Sequence, residues 1–236
     1  MPNKLTKRQA TPLPPPGRRS SLSRVIALVF FLFIARETAA QTPPEEGSLF
    51  VTIHLPYGIS VEIPRSWHIV AGVAKEALEP GVTGDIDLSR MLVPDNHVLL
   101  RANATPSDQP ASMAVAFFPR AVVDLQQEEE PSPSELTAYD QELRQKVENA
   151  LRSQGIELRE WRGTHQDRLD GHFALASEYR RRSQGFPSVW EQVNALPLHD
   201  GMAVLSIAHS EQEGTLWRSV VMRIRSSFRT HETSAP

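Results

Sequence analysis

Imidazole is the side chain best suited to move protons or hold a transition metal near neutral pH. Eight histidines are spread along the 236 residues: His54, His68, His97, His165, His172, His199, His209 and His231. A zincin needs His-Glu-x-x-His on a helix, so that both rings face one way. His231-Glu232 comes nearest, but Ala235 stands where the second histidine would be. A serine hydrolase of the α/β type needs a Gly-x-Ser-x-Gly elbow to expose its nucleophile, and the chain has none. Gly81-Val82-Thr83-Gly84 lacks the lysine and the helix of a phosphate loop. With no cysteine anywhere, thiol nucleophiles, thiolate metal sites, disulfides and an acylated lipoprotein cysteine are all excluded. What remains is a loose histidine–carboxylate arrangement: His165 and His172 on either side of an Asp170 turn, and His199 beside Asp200. The simpler reading of these is surface or strand-end histidines with ordinary hydrogen bonds. No catalytic residue, metal or cofactor is therefore expected.

The densest basic run is Arg180-Arg181-Arg182, a candidate docking patch for an acidic partner or lipid headgroups, or else a solvated strand end. Trp67, Trp161, Trp190 and Trp217 read as packing residues before they read as a stacking platform. Glu128-Glu129-Glu130 reads as a solvated lead-in to a helix.

Residues 1–40 have the layout of a secretory signal. A basic, proline-rich stretch ends at Arg24, and eleven uncharged residues follow, Val25 to Ala35. A membrane-spanning helix needs about 20 apolar residues, so this run fits the core of a signal peptide. Cleavage after Ala40 puts Thr38 and Ala40 at the two small-residue positions, and an uncleaved anchor is the alternative. Arg18-Arg19 invites a twin-arginine reading, but Ser20-Ser21 stand where a bulky apolar residue is usual. The expected compartment is bacterial, periplasmic or secreted, with no stable span after cleavage.

Removing that segment changes the charge. Residues 1–40 hold seven of the 25 basic groups and one of the 28 acids, leaving 18 against 27 and a formal net charge of −9 over the remaining 196 residues. An acidic surface repels phosphate backbones, so nucleic acid is excluded as the expected partner.

The elements that must position these residues begin after a Pro/Glu linker at 41–48 and form one domain over 49–229, with a frayed tail at 230–236. Leu49 to Ile53 and the alternating Ile59 to Ile63 predict a hairpin closed by Pro64 and Trp67. Val70 to Glu79 predicts a short helix, and 80–96 a loop. His97 to Ala104 and Ser112 to Phe118 predict strands. Ser132-Pro133-Ser134-Glu135 is a capping box, and Leu136, Tyr139, Leu143, Val147 and Ala150–Leu151 then recur on one helical face up to Gly155. Strands are expected at Ile156 to Trp161, Thr164 to Leu169, His172 to Arg180, Val189 to Leu196 and Met202 to Ala208, with tight turns at Asp170-Gly171 and Asp200-Gly201. A last helix spans Gly214 to Phe228. The order predicts α+β: a twisted, mostly antiparallel sheet with helices packed on its faces.

The run Tyr57-Gly58-Ile59-Ser60-Val61-Glu62-Ile63-Pro64-Arg65-Ser66-Trp67 resembles the opening of PsbP-like and DcrB-like domains, whose C-terminal helix ends in a Ser-Phe like Ser227-Phe228. That resemblance covers residues 49–229 and implies an α/β/α sandwich used for binding, as in extrinsic photosystem subunits, envelope lipoproteins and adaptor chaperones. DcrB-like lipoproteins carry a cysteine at the cleavage site, which is absent here; a soluble periplasmic form fits better. No binding residues transfer, because the matching positions are strand and core residues. The functional expectation is a non-catalytic exported protein that binds a partner protein as an adaptor, chaperone or assembly factor. The alternatives are a carrier of a lipid or other small apolar ligand between sheet and helices and, behind it, an enzyme with a dispersed histidine–carboxylate site.

Overall fold

The computed structural model describes residues 50–72, 86–89, 97–104, 111–119 and 131–231. The signal expected over residues 1–40, the linker expected at 41–48 and the Glu128–Glu130 run lie outside the described residues.

Strands β1 (Phe50–Leu55) and β2 (Ile59–Pro64) pair antiparallel around a single turn at Pro56–Gly58. Their period-two pattern buries Val51, Ile53 and Leu55 on one strand and Ile59, Val61 and Ile63 on the other. The Pro64 carbonyl accepts the Trp67 N–H at 3.0 Å, and the Trp67 ring meets Trp217 edge-on at 6.2 Å. The Pro-x-x-Trp sequence is thus a corner that turns the chain into the core.

Next come β3 (His68–Gly72), the two-residue β4 (Ile86–Asp87), β5 (Val98–Asn103) and β6 (Ala111–Pro119). The helix expected from Val70 is corrected here: residues 70–72 belong to β3, which pairs antiparallel with β5. Ile69-Val70 is a β-branched pair, and pairing with a neighbouring strand outweighs the local helical pattern. Residues 73–79 lie outside the described residues. β4 adds a short strand where only loop was expected.

Helix α1 (Pro133–Arg152) starts as its sequence dictates. Glu135 N–H donates to Ser132 Oγ at 3.4 Å, and the Glu135 carboxylate accepts the Ser132 N–H at 2.8 Å. Its buried stripe is Tyr139, Leu143, Val147, Ala150 and Leu151.

The chain then runs as an antiparallel meander: β7 (Ile156–Leu169), β8 (His172–Ser183), β9 (Ser188–Leu198) and β10 (Gly201–Ser210). β7 is one 14-residue strand where the sequence suggested two; Arg162-Gly163 does not end it but falls at one of two bulges against β8. Asp170 and Gly171, with φ of 54° and 78°, form the left-handed two-residue turn that the Asp-Gly pair favours. Gly201 begins β10, where a Cβ would lie 2.2 Å from the Phe118 carbonyl oxygen, so only glycine lets β10 approach β6 there.

Helix α2 (Gly214–Ser227) buries Trp217, Val220 and Ile224. Ser227 Oγ accepts the Glu62 N–H at 2.9 Å and donates to the Ile224 carbonyl, while Phe228 is fully buried. The Ser-Phe pair therefore ties the helix end to β2. The tail expected from residue 230 starts later. Arg229–Thr230 form β11 against β2, Thr230 N–H donates to Asp170, and His231 N–H donates to the Gly58 carbonyl at 2.8 Å.

Two sheets result, in the orders β11-β2-β1-β4 and β3-β5-β6-β10-β9-β8-β7, antiparallel throughout except for the β1–β4 pair. One face of the seven-stranded sheet carries α1, which packs with Ala114, Ala116, Phe118, Leu175, Tyr179, Val193, Met202 and Val204. The other carries α2 and the small sheet over Leu100, Ala102, Met113, Val115, Phe117, Leu205 and Ile207. The fold is α+β with helices on opposite faces of a mostly antiparallel sheet.

If the capping box sets where α1 begins, Ser132→Ala lowers the unfolding free energy by about 1 kcal/mol. A urea midpoint equal to that of the unsubstituted protein would remove the cap from this account.

Candidate interaction surface

Strand alternation divides the three arginines. β8 sends Arg181 to the α1 face and Arg180 and Arg182 to the other. Arg181 is buried, and its Nε donates to Glu191 Oε2 at 2.8 Å. Ser206 Oγ donates to the other Glu191 oxygen at 3.0 Å. Arg101, on β5 and the same face, shares this carboxylate's field: burial lowers its pKa, Glu191 opposes the shift and Arg181 adds to it. Burial and Glu191 together hold the Tyr179 phenol well above its ordinary range. Arg181 thus belongs to a buried pair with Glu191, with the half-buried Arg101 coupled to it, and not to a surface patch.

The other two arginines face a corner of the sheet beyond α2. Cross-strand register pairs Glu157 with Arg182 and Glu160 with Arg180, each acid on β7 opposite a base on β8. Arg180 Nη2 lies 3.0 Å from Glu160, and its Nη1 also donates to Glu211 in the turn before α2. Arg162, lifted by the bulge, donates to Glu178 at 2.9 Å and to Glu160 at 3.3 Å. Trp190 on β9 stands opposite Arg180 in register. The Arg162 guanidinium carbon sits 3.7 Å from the centre of the Trp190 ring, and that of Arg180 sits 5.5 Å away. Arg182 is exposed at the end of the row, its Nε donating to the Phe186 carbonyl.

The corner is therefore a half-buried indole flanked by two guanidinium groups inside a grid of paired charges. Its acids and bases nearly cancel, so it holds no surplus of positive charge. Tryptophan and arginine are residue types that dominate hot spots, and both are pre-positioned here by neighbours on rigid strands. Sequence reading missed Trp190 and Arg162. The usable signal was period two counted on from Tyr179, which puts Arg180 out and Arg181 in; the bulge that brings Arg162 over Trp190 has no local signature.

The histidines do not assemble. His165 stands opposite Ala176 and His172 opposite Leu169, so the two are separated by four residues of strand, about 13 Å. The loose arrangement of His165 and His172 across the Asp170 turn therefore does not form in this register. His199 lies at the β9–β10 turn, 4.0 Å from Asp200. Among the described residues no three His, Asp or Glu side chains are grouped so as to hold a metal ion. Trp67 and Trp217 are core, and Trp161 donates to Asp140 at 2.9 Å, joining β7 to α1. Among the described residues no helix is long and apolar enough to cross a membrane.

No known family profile matches the chain. No curated protein matches it either. Among solved structures it is similar to the cyanobacterial PsbP, CyanoP, of Synechocystis sp. PCC 6803. The identity is 12%, with 81% of this chain and 98% of that one covered, at a TM-score of 0.48. The Ran-binding protein Mog1p of Saccharomyces cerevisiae matches at 11% identity over 75% of this chain and 92% of that one, TM-score 0.39. LpqN of Mycobacterium tuberculosis, involved in cell envelope biogenesis, matches at 12% over 73% and 83%, TM-score 0.39.

Glu191→Gln leaves the buried Arg181 guanidinium, and the half-buried Arg101 coupled to the same carboxylate, without that charge. The unfolding free energy should fall by about 3–5 kcal/mol. A loss below ~1 kcal/mol in urea titration would mean that the group behaves as a solvated surface pair.

Proposed function

We propose that this chain is a non-catalytic, exported envelope protein that binds a partner protein, as an adaptor, chaperone or assembly factor, through the open corner of its large sheet. The observation that carries the reading is Trp190, a half-buried indole held between Arg162 and Arg180 on rigid strands. An indole placed there contributes little to either core, and an interface gives it an apolar contact that solvent does not. The leader at 1–40, with cleavage after Ala40, supplies the compartment, periplasmic or secreted. The acidic mature charge supports a protein partner over nucleic acid.

The docking patch read from the sequence is reshaped in this proposal: Arg180 and Arg182 remain in it, Arg162 and Trp190 join it, and Arg181 acts through the core. The three Glu partners hold the guanidinium planes in place, so less side-chain entropy is lost on binding.

Native mass spectrometry of the protein isolated gently from its own envelope fraction tests this. The expected result is a co-purifying protein mass at fixed stoichiometry, absent from the Trp190→Ala variant although that variant keeps its melting temperature. A bound small mass, released on denaturation, would replace this reading with that of a ligand carrier.

A further inference from the structure

β7 is the outer strand of the seven-stranded sheet; among the described residues no strand pairs with its free edge. A long free edge invites pairing with any extended chain, and charges and bulges are the usual protection. β7 has both, yet its charges follow a particular order: Glu157-Leu158-Arg159-Glu160-Trp161-Arg162.

Reversed against itself, this hexapeptide is complementary at every position. Antiparallel pairing about a two-fold axis between Arg159 and Glu160 sets Glu157 opposite Arg162, Leu158 opposite Trp161 and Arg159 opposite Glu160, each contact occurring twice. In a regular strand such a register would pair residues pointing to opposite faces, because the numbers of each pair sum to an odd value. The bulge between Leu158 and Glu160 removes that conflict. Leu158 and Trp161 both lie against the core beneath α1, while Glu157 and Arg162 lie on the other face with Arg182 and Trp190.

We propose that β7 is a self-recognition edge and that its occupant is the β7 of a second copy of this chain, joining the two large sheets across a two-fold axis. The charges that repel an unrelated strand are, in this register, each other's partners, so one device excludes the wrong chain and admits the right one. The present partners of these groups are exchanged at little cost. Arg159 pairs with Glu157 at 2.8 Å, Arg162 with Glu160 at 3.3 Å and with Glu178 at 2.9 Å, and Glu160 also with Arg180 at 3.0 Å, all on partly or well exposed side chains, and such surface pairs contribute little to stability. This surface shares Arg162 and Glu160 with the docking corner, but Trp190 and Arg182 take no part in the strand contact, and its readout is self-association, not partner capture.

Charge exchange tests it, with oligomeric state read by sedimentation velocity on the protein in the form its host produces. The expected result is a dimer that weakens as salt is raised. R159E and E160R each place like charges opposite one another at two symmetric positions and should be monomeric. The double variant R159E/E160R restores both contacts and should dimerise again, as should a mixture of the two single variants, which complement each other. Rescue by a second substitution separates a lost interface from a lost fold. A monomer at concentrations up to about 1 mM, the weak end of specific association, would overturn the proposal. A dimer indifferent to both single changes would overturn it equally.

Discussion

The central strands β6 and β10 are covered on both faces, and that double burial governs the rest of the molecule. A strand that is buried on both sides cannot alternate apolar with polar, and both carry long runs in which almost every residue is enclosed. Two separate layers must then exist to cover them. Helix α1 supplies one, and α2 with the β1–β2 sheet supplies the other. The cover on the second side does not extend over the far ends of β7, β8 and β9, so one corner of the sheet faces solvent with its side chains already fixed by the strands beneath.

That corner explains why an arginine run reads so differently in sequence and in space. Arg180 and Arg182 face outward among acids on β7, and Arg181 points into the covered face, where it needs Glu191. Burying such a group is costly unless its partners are complete, which is why Ser206 is drawn to the second carboxylate oxygen. An apparently contiguous basic patch thus becomes one buried ionic group and one compensated surface grid.

Much of the fold was legible because it rests on local chemistry. The capping box, the Asp170-Gly171 turn, the alternation in β2 and β8 and the stripes of α1 and α2 each have a physical cause within a few residues, and each lies where the sequence places it. The failures share a different cause. Val70 enters a strand because β5 is beside it, Arg162-Gly163 fails to end β7 because β8 continues to pair with it, and Thr230 is held by Asp170, sixty residues away. The candidate site was legible only in part for the same reason: its arginines stand in one run, but Trp190 and Arg162 reach them through register and a bulge, which no local pattern encodes. The secretory signal expected over residues 1–40 is a separate kind of reading, resting on composition and residue order alone.

The central claim is that the open corner around Trp190 is where this protein meets its partner. A photo-crosslinking residue introduced at position 190, compared with one at the exposed Gln145 on the outer side of α1 and illuminated in the native envelope, tests it most directly. The account predicts one discrete protein adduct from position 190 and none of that mass from position 145. Equal adducts from both positions, or none from position 190, would contradict it.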